Sequence, residues 1–134
     1  MIRTTKPSKY LAFFAAQVAA ACWAILCFRY FEPRQLAAIL AGSGFWVLGF
    51  TILWVQRRQR GAVFWSAFLL TFIFSLPMLL TRVWYWGHEN FSQVSVLGVP
   101  SQVFHRGSEW MYMAMVLATL VGLVRAYMGQ RKVP

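Results

Sequence analysis

Charged side chains are scarce in this sequence, and acidic ones are rarest of all. Only 12% of the 134 residues are charged, and three of these are acidic. A soluble globular domain carries about twice that fraction of charge. Hydrophobic residues make up 60%, and the mean hydropathy is +0.56. A water-soluble chain of this length could not bury so much apolar surface, and a disordered chain would lack the 18% of aromatic residues found here. The composition therefore predicts an integral membrane protein.

Cysteine and catalytic motifs are also scarce. The chain has two cysteines, Cys22 and Cys27, which excludes a disulfide scaffold and any metal site built from several cysteines. They are five residues apart on one predicted helix, so they point to different faces and cannot pair with each other. The sequence contains no phosphate-binding glycine loop, no serine nucleophile motif and no pair of catalytic carboxylates. We therefore expect no cofactor, and the sequence favours a protein that is not an enzyme.

Long apolar runs are what the sequence has instead. A helix needs about 20 mostly apolar residues to cross about 30 Å of hydrocarbon. Four segments meet this requirement: residues 10–28, 36–55, 62–80 and 110–127. No charged side chain lies in the middle of any of them. Short links make the first three helices antiparallel neighbours. We predict one transmembrane domain over residues 1–134, an all-α bundle of four transmembrane helices.

Three local features refine these boundaries. Ser108 and Glu109 offer a capping oxygen and a negative charge, so we expect the fourth helix to begin there. Pro77 lies one turn before the end of the third span and is expected to kink that helix. The apolar run of the first span is too long for a cleaved signal peptide, so we expect it to remain as a membrane anchor.

Basic residues are distributed unevenly between the two sides of the predicted bundle. One side has four arginines and all three acids, which leaves it a net charge of +1 out of the total of +10. The other side has no acid and holds nine basic residues: Arg3, Lys6, Lys9, Arg57, Arg58, Arg60, Arg125, Arg131 and Lys132. Positive residues in short loops stay in the cytoplasm. We therefore predict that both termini are cytoplasmic, in a multi-pass protein of the bacterial inner membrane. The pI near 10.7 follows from this asymmetry, and we expect no nucleic-acid partner.

The connection between the third and fourth spans, residues 81–109, is far longer than a simple link. Apolar residues are interspersed in it with serine and glutamine, which is not the composition of a disordered segment. Gly98 and Pro100 allow a turn. We expect an ordered extracytoplasmic loop, and both a short hairpin and a short interfacial helix fit its pattern.

Small residues recur every fourth position in the first and fourth spans. Because lipid tails are as apolar as leucine, membrane helices associate where small residues allow close packing. We therefore predict that these two helices pack against each other, although the same stripes could face lipid or another protomer. The two stripes are Ala12, Ala16, Ala20 and Ala24, and Ala114, Ala118, Gly122 and Ala126. In the third span, Ala67, Thr71 and Ser75 form a similar ridge that we expect to face the bundle.

Polar groups inside the membrane and at its outer surface are the remaining candidates for function. Gln17 is the strongest polar residue within a span, and an interhelical hydrogen bond explains it better than a ligand or ion contact. Four outer arginines could bind phosphate or lipid head groups through bidentate contacts, or they could form ion pairs with nearby acids. These are Arg29, Arg34, Arg82 and Arg106.

A metal site has little support in the sequence. His105 and Glu109 would share one face of a helix, and His88 and Glu89 could complete a set of ligands. This spacing matches no strong metal-binding signature, and the helix would have to continue through Gly107. We therefore predict no metal, and these four residues stay weak candidates.

The sequence supports two hypotheses about function. The first is a non-catalytic accessory, assembly or scaffold subunit, which sits in the lipid bilayer and contacts other membrane subunits or copies of itself. It rests on the small-residue stripes, the apolar loop and the lack of ionisable residues at depth. The alternative is a small oligomeric transporter or lipid-handling protein that uses the outer arginines.

Overall fold

The chain folds into four long helical rods. The computed structural model describes residues 6–87 and 93–131. Each rod is long and apolar enough to cross a membrane, by length and composition, as expected for a multi-pass membrane protein. Three rods are single α-helices: α1 (Pro7–Tyr30), α2 (Arg34–Val55) and α5 (Ser101–Arg131). The remaining rod, between α2 and α5, has three parts: α3 (Ala62–Phe68), a π-helical segment (Leu69–Ser75) and α4 (Leu76–Trp84).

Hydrogen bonds between the rods define the two ends of the bundle. At one end Lys9 Nζ, near the start of α1, donates to Gln56 Oε1 at the end of α2, at 2.7 Å. We call this the basic end, because Lys6, Arg57 and Arg125 also lie there. At the opposite end, Gln35 Nε2 at the start of α2 donates to the Arg82 carbonyl oxygen at the end of α4, at 2.7 Å. We call this the loop end. Consecutive rods therefore run antiparallel.

Exposed aromatic side chains lie near both ends of the bundle. At the basic end the indole rings of Trp54 and Trp65 are exposed, and at the loop end those of Trp84, Trp86 and Trp110 are exposed. Trp and Tyr prefer the membrane–water interface, where an apolar ring and a polar atom are both accommodated. Exposed tryptophan rings at both ends are therefore consistent with a bundle that spans a bilayer.

The fourth long helix begins earlier than the sequence predicts. α5 starts at Ser101, so the expectation that Ser108 and Glu109 mark its first turn is wrong. Ser108 lies inside the helix, where its hydroxyl donates to the Phe104 carbonyl oxygen at 2.9 Å. The apolar stretch begins only near Trp110, and hydropathy does not detect the part of a helix that continues into the polar interface.

A short hairpin precedes α5. Strands β1 (Ser95–Val96) and β2 (Val99–Pro100) pair antiparallel around a turn formed by Leu97 and Gly98. Both turn residues have positive φ, 51° and 82°, as a two-residue type I′ turn requires. The described part of the predicted loop thus contains the hairpin, and the first turns of α5 follow it in place of a separate short helix. Residues 88–92 lie outside the described part of the chain.

The third rod changes its helical form ahead of Pro77. From Leu69 to Ser75 it is π-helical, and Leu76 donates its backbone N–H to the Thr71 carbonyl oxygen, five residues earlier. A proline ring clashes with the carbonyl four residues before it in an α-helix and has no N–H to donate. The disturbance that we expected at Pro77 therefore takes the form of a widened turn preceding the proline.

The core lies between all four rods and combines apolar and small polar side chains. Its largest apolar cluster joins Phe13 from α1, Ile52 from α2, Leu70 from the π-helical segment and Met115 from α5. The ridge predicted to face the bundle does so, since its members are buried: Ala67, Thr71 and Ser75. A second cluster nearer the loop end packs Cys27 of α1 against Ala37 and Ala41 of α2.

Candidate functional site

Gln17 joins α1 to α5 in the middle of the bundle. Its side chain is fully buried, and its Nε2 donates to Thr119 Oγ1 at 2.9 Å. The Thr119 hydroxyl in turn donates to the Met115 carbonyl oxygen at 2.8 Å. Tyr112 donates its hydroxyl to the backbone carbonyl oxygen of Gln17. These contacts form the kind of interhelical hydrogen bonding that we expect for Gln17, and they hold the first and last rods together.

Three buried polar atoms in the described residues have no hydrogen-bond partner: Gln17 Oε1, Trp46 Nε1 and Thr71 Oγ1. The Trp46 ring stacks on Phe50, with a centroid separation of 5.3 Å. The Thr71 hydroxyl belongs to the π-helical segment and lies directly against Gly49 of α2. Unpaired buried polar atoms reduce stability. Substitutions at these three positions are therefore expected to change the free energy of unfolding.

Contrary to the prediction, the stripe of small residues on α1 does not form the contact with α5. α1 and α5 are in contact, but Ala12 and Ala16 are exposed, and Ala24 packs toward Ala37 and Ala41 of α2. Ala20 alone of this stripe is buried in the main cluster. The contact with α5 is made by larger side chains, because Phe13 and Gln17 occupy the α1 face that α5 covers.

The corresponding stripe on α5 is half-buried and faces a groove at the basic end. Gly122 touches the Tyr10 ring, since a Cβ at this position would lie 2.5 Å from Tyr10 Cε1. The groove has a volume of about 740 Å³ and lies between the starts of α1 and α3 and the last turns of α5. The α5 residues that form its wall include the whole predicted stripe: Ala114, Ala118, Gly122 and Ala126.

Arg82 is held against α2 at the loop end. Its Nη1 donates to the Ala38 carbonyl oxygen at 3.1 Å, and the side chain is half-buried. Gln35 of α2 makes a second contact with the end of α4, because its Nε2 donates to the carbonyl oxygens of Arg82 and Tyr85 at 2.7 and 2.9 Å. Its Oε1 accepts the backbone N–H of Gly87 at 3.1 Å. Gln35 thus supplies a side-chain cap to the last turn of α4 and fixes the two helices together.

The other three arginines that the sequence predicts to face outward have surroundings different from those of Arg82. Arg29 is exposed and lies over the Tyr30 ring, 5.7 Å from its centroid. Arg34 lines a shallow cavity with Glu32 and Phe31. Arg106 is exposed on the first turns of α5. The four arginines therefore do not share a common set of contacts in the described residues.

The predicted metal candidates are only partly described. His105 Nε2 and Glu109 Oε1 are 3.0 Å apart on the exposed face of α5, which continues through Gly107 as a helix. His88 and Glu89 lie outside the described residues. Within residues 6–87 and 93–131, no three His, Cys, Asp or Glu side chains form a group that could hold a metal. The contact between His105 and Glu109 is exposed to solvent, and an exposed contact of this kind contributes little to stability.

Two glutamines at helix ends were not recognised in the sequence. Gln35 and Gln56 are almost fully buried and make the contacts that tie α2 to its neighbours at opposite ends. The sequence offers one signal for these residues: each is a polar side chain with several hydrogen-bonding atoms, beside an apolar span. That signal does not identify a partner, because the partners lie about 50 residues away or are backbone carbonyls.

These contacts cannot be compared with a known site. The chain matches no protein-family model, and it has no significant match among curated proteins or solved structures.

Proposed function

We propose that this protein is a non-catalytic accessory, assembly or scaffold subunit of the bacterial inner membrane, which binds a transmembrane helix of another membrane protein or of a second copy. The observation that carries the proposal is a face of α1 made entirely of alanine. We call it the alanine face; it comprises Ala12, Ala15, Ala16 and Ala19, and all four are exposed.

The spacing of the alanine face is that of one helix surface. Residues at positions i, i+3, i+4 and i+7 lie on the same side of an α-helix. Small side chains there let the backbone of a second helix approach closely, and close packing is the main source of helix association in lipid. Bulky residues occupy the adjoining exposed line of α1, at Leu11, Val18 and Ile25. The alanine face therefore has the shape of a surface on which a second helix can dock, and the bulky line beside it is suited to contact with lipid.

The same proposal includes an orientation. The basic end holds Lys6, Lys9, Arg57 and Arg125, whereas the two acids that the structure describes, Glu32 and Glu109, lie toward the loop end. Because positive residues in short loops beside transmembrane helices are retained in the cytoplasm, both termini are cytoplasmic and the hairpin is extracytoplasmic. A partner helix on the alanine face then lies within the same bilayer as the bundle.

Enlarging the alanine face is expected to abolish association. The double variant Ala15→Leu, Ala19→Leu should reduce the higher-mass species at least tenfold, since each added side chain must be accommodated in a close contact, at about 1–3 kcal/mol. The measurement is native electrophoresis of the full chain extracted from its own membrane in mild detergent.

A matched pair on the lipid-facing line provides the control. Val18→Leu with Ile25→Leu changes two exposed positions of the same helix to the same residue, and it should leave the higher-mass species unchanged. A wild-type chain that runs as a monomer of 15.4 kDa with no associated protein contradicts the proposal. Equal loss in both double variants contradicts it as well.

The orientation has its own test. In a chain carrying Cys22→Ala and Cys27→Ala, a new cysteine at exposed Ser95 should react with a membrane-impermeant maleimide in intact cells. One at exposed Gly61, where no neighbouring atom lies within 4 Å, should react only after the membrane is permeabilised. The reverse pattern would invert the topology.

A further inference from the structure

We propose that the groove at the basic end binds one anionic phospholipid, with its phosphate at Lys6 and Arg125 and an acyl chain along the small-residue wall of α5. The groove is open to the surroundings between α1, α3 and α5, and it has a volume of about 740 Å³. This site is distinct from the alanine face, which lies on the exposed side of α1.

The walls of the groove suit an acyl chain. Its α5 side runs from Ala114 to Gln130, which is about 24 Å at the helical rise of 1.5 Å per residue. One leaflet contributes only about 15 Å of hydrocarbon, half of the usual core thickness. The groove thus extends from the interface to the level of the bilayer centre. Leu117 and Val121 line it together with the small residues, so its deep part is apolar.

The polar residues of the groove lie at its open end. Lys6 and Gln59 come from the start of α1 and the α2–α3 link, and Arg125 and Gln130 come from the last turns of α5. A molecule that fits must therefore have a polar group at the basic end and an apolar part that extends toward the centre. Among molecules of the membrane, a phospholipid has this arrangement.

The charge of the groove selects an anionic head group. Of the three acids in the chain, the structure describes Glu32 and Glu109, and both lie toward the loop end. Among residues 6–87 and 93–131, no acidic side chain lies at the basic end to neutralise Lys6 and Arg125. Lys9, which is nearby, donates to Gln56 at 2.7 Å, and this contact takes up one of its three donors. An anion at the mouth of the groove is therefore one that the described side chains do not supply, and lipid head groups are the anions concentrated at this depth.

Native mass spectrometry of the full chain in detergent tests the proposal. The probes are phosphatidylglycerol and phosphatidylcholine, titrated separately. We expect one phosphatidylglycerol per chain, bound at least tenfold more tightly than phosphatidylcholine. The double variant Lys6→Ala, Arg125→Ala should bind phosphatidylglycerol about tenfold more weakly, because it loses the two cations of the groove that contact the phosphate.

A control variant removes the same charge from the same end. Arg57→Ala with Arg58→Ala changes two exposed arginines that do not line the groove, and it should change the affinity less than twofold. Equal weakening in both double variants would show diffuse electrostatic attraction and overturn the proposal. Equal binding of the two lipids, or a two-chain species that excludes lipid, would overturn it too.

A second variant tests the apolar part without changing charge. Ala118→Phe should fill the wall of the groove and weaken phosphatidylglycerol binding, while far-UV circular dichroism confirms that the helices remain. Binding that is unaffected in this folded variant contradicts the placement of the acyl chain. If the variant does not fold, the comparison of the two charge variants decides the matter.

Discussion

Replacing Gly49 with alanine is expected to lower the free energy of unfolding by about 1–3 kcal/mol, the usual cost of adding a group to a packed core. Elsewhere in a helix interior, the same change raises stability by about 0.5–1 kcal/mol. The sign reverses here because a Cβ on Gly49 would overlap the hydroxyl oxygen of Thr71 in the π-helical segment. The measurement is chemical unfolding in detergent micelles, followed by far-UV circular dichroism.

Gly42 provides a control on the same helix. A Cβ there would lie 3.4 Å from Leu79 Cδ1 and 3.6 Å from Arg82 Nη1, which are ordinary contact distances. Gly42→Ala is therefore expected to leave stability unchanged or to raise it by up to about 1 kcal/mol. If both alanine variants lose the same amount, the overlap with Thr71 is not the cause.

Removing the Thr71 hydroxyl should rescue the Gly49 variant. Thr71 Oγ1 is buried without a partner, so Thr71→Ala alone is expected to change stability by less than about 1 kcal/mol. In the double variant the nearest remaining atoms are Thr71 Cβ at 3.4 Å and the Ala67 carbonyl oxygen at 3.7 Å from the new Cβ. The two changes should thus be strongly non-additive, as expected for residues in direct contact.

The four rods themselves follow from composition, because the membrane requires a long apolar helix for each crossing. Hydropathy does not mark where such a helix ends once it leaves the hydrocarbon. α5 extends through His105 and Arg106 back to Ser101, whereas the sequence predicts that these polar residues belong to the loop. The helical type of the third rod could not be predicted from the sequence either. Pro77 indicates a disturbance, but only the packed structure shows a π-helical segment there.

The packing partners were harder to predict than the helices. Alanines spaced every four residues identify a helix face without identifying what covers it. Ala12 and Ala16 of α1 are exposed, whereas Gly122 of α5 meets the Tyr10 ring. Long-range contacts depend on how the rods assemble. The sequence therefore predicts a hydrogen bond from Gln17 to another helix, but it does not identify Thr119 as the partner.

Replacing Gln17 with lysine is expected to lower the free energy of unfolding by at least about 3 kcal/mol. Gln17 is fully buried, about 15 Å from the start of α1 at 1.5 Å per residue, and the middle of each span has no acid to pair with a cation. A charge at the bilayer centre costs at least about 2.5–3.5 kcal/mol. Unfolding of the purified chain in detergent micelles, compared with wild type, measures this loss.

Gln17→Met separates a structural role from a functional one. Methionine has a similar length and adapts to irregular space, so this variant loses only the hydrogen bond to Thr119. Such bonds in membranes contribute about 0.6 kcal/mol, and the unpartnered Gln17 Oε1 is removed at the same time. We therefore expect a change of less than about 1 kcal/mol. Stability that tolerates lysine as well as methionine would mean that water reaches position 17, which is the property of a polar pathway and not of a helix contact.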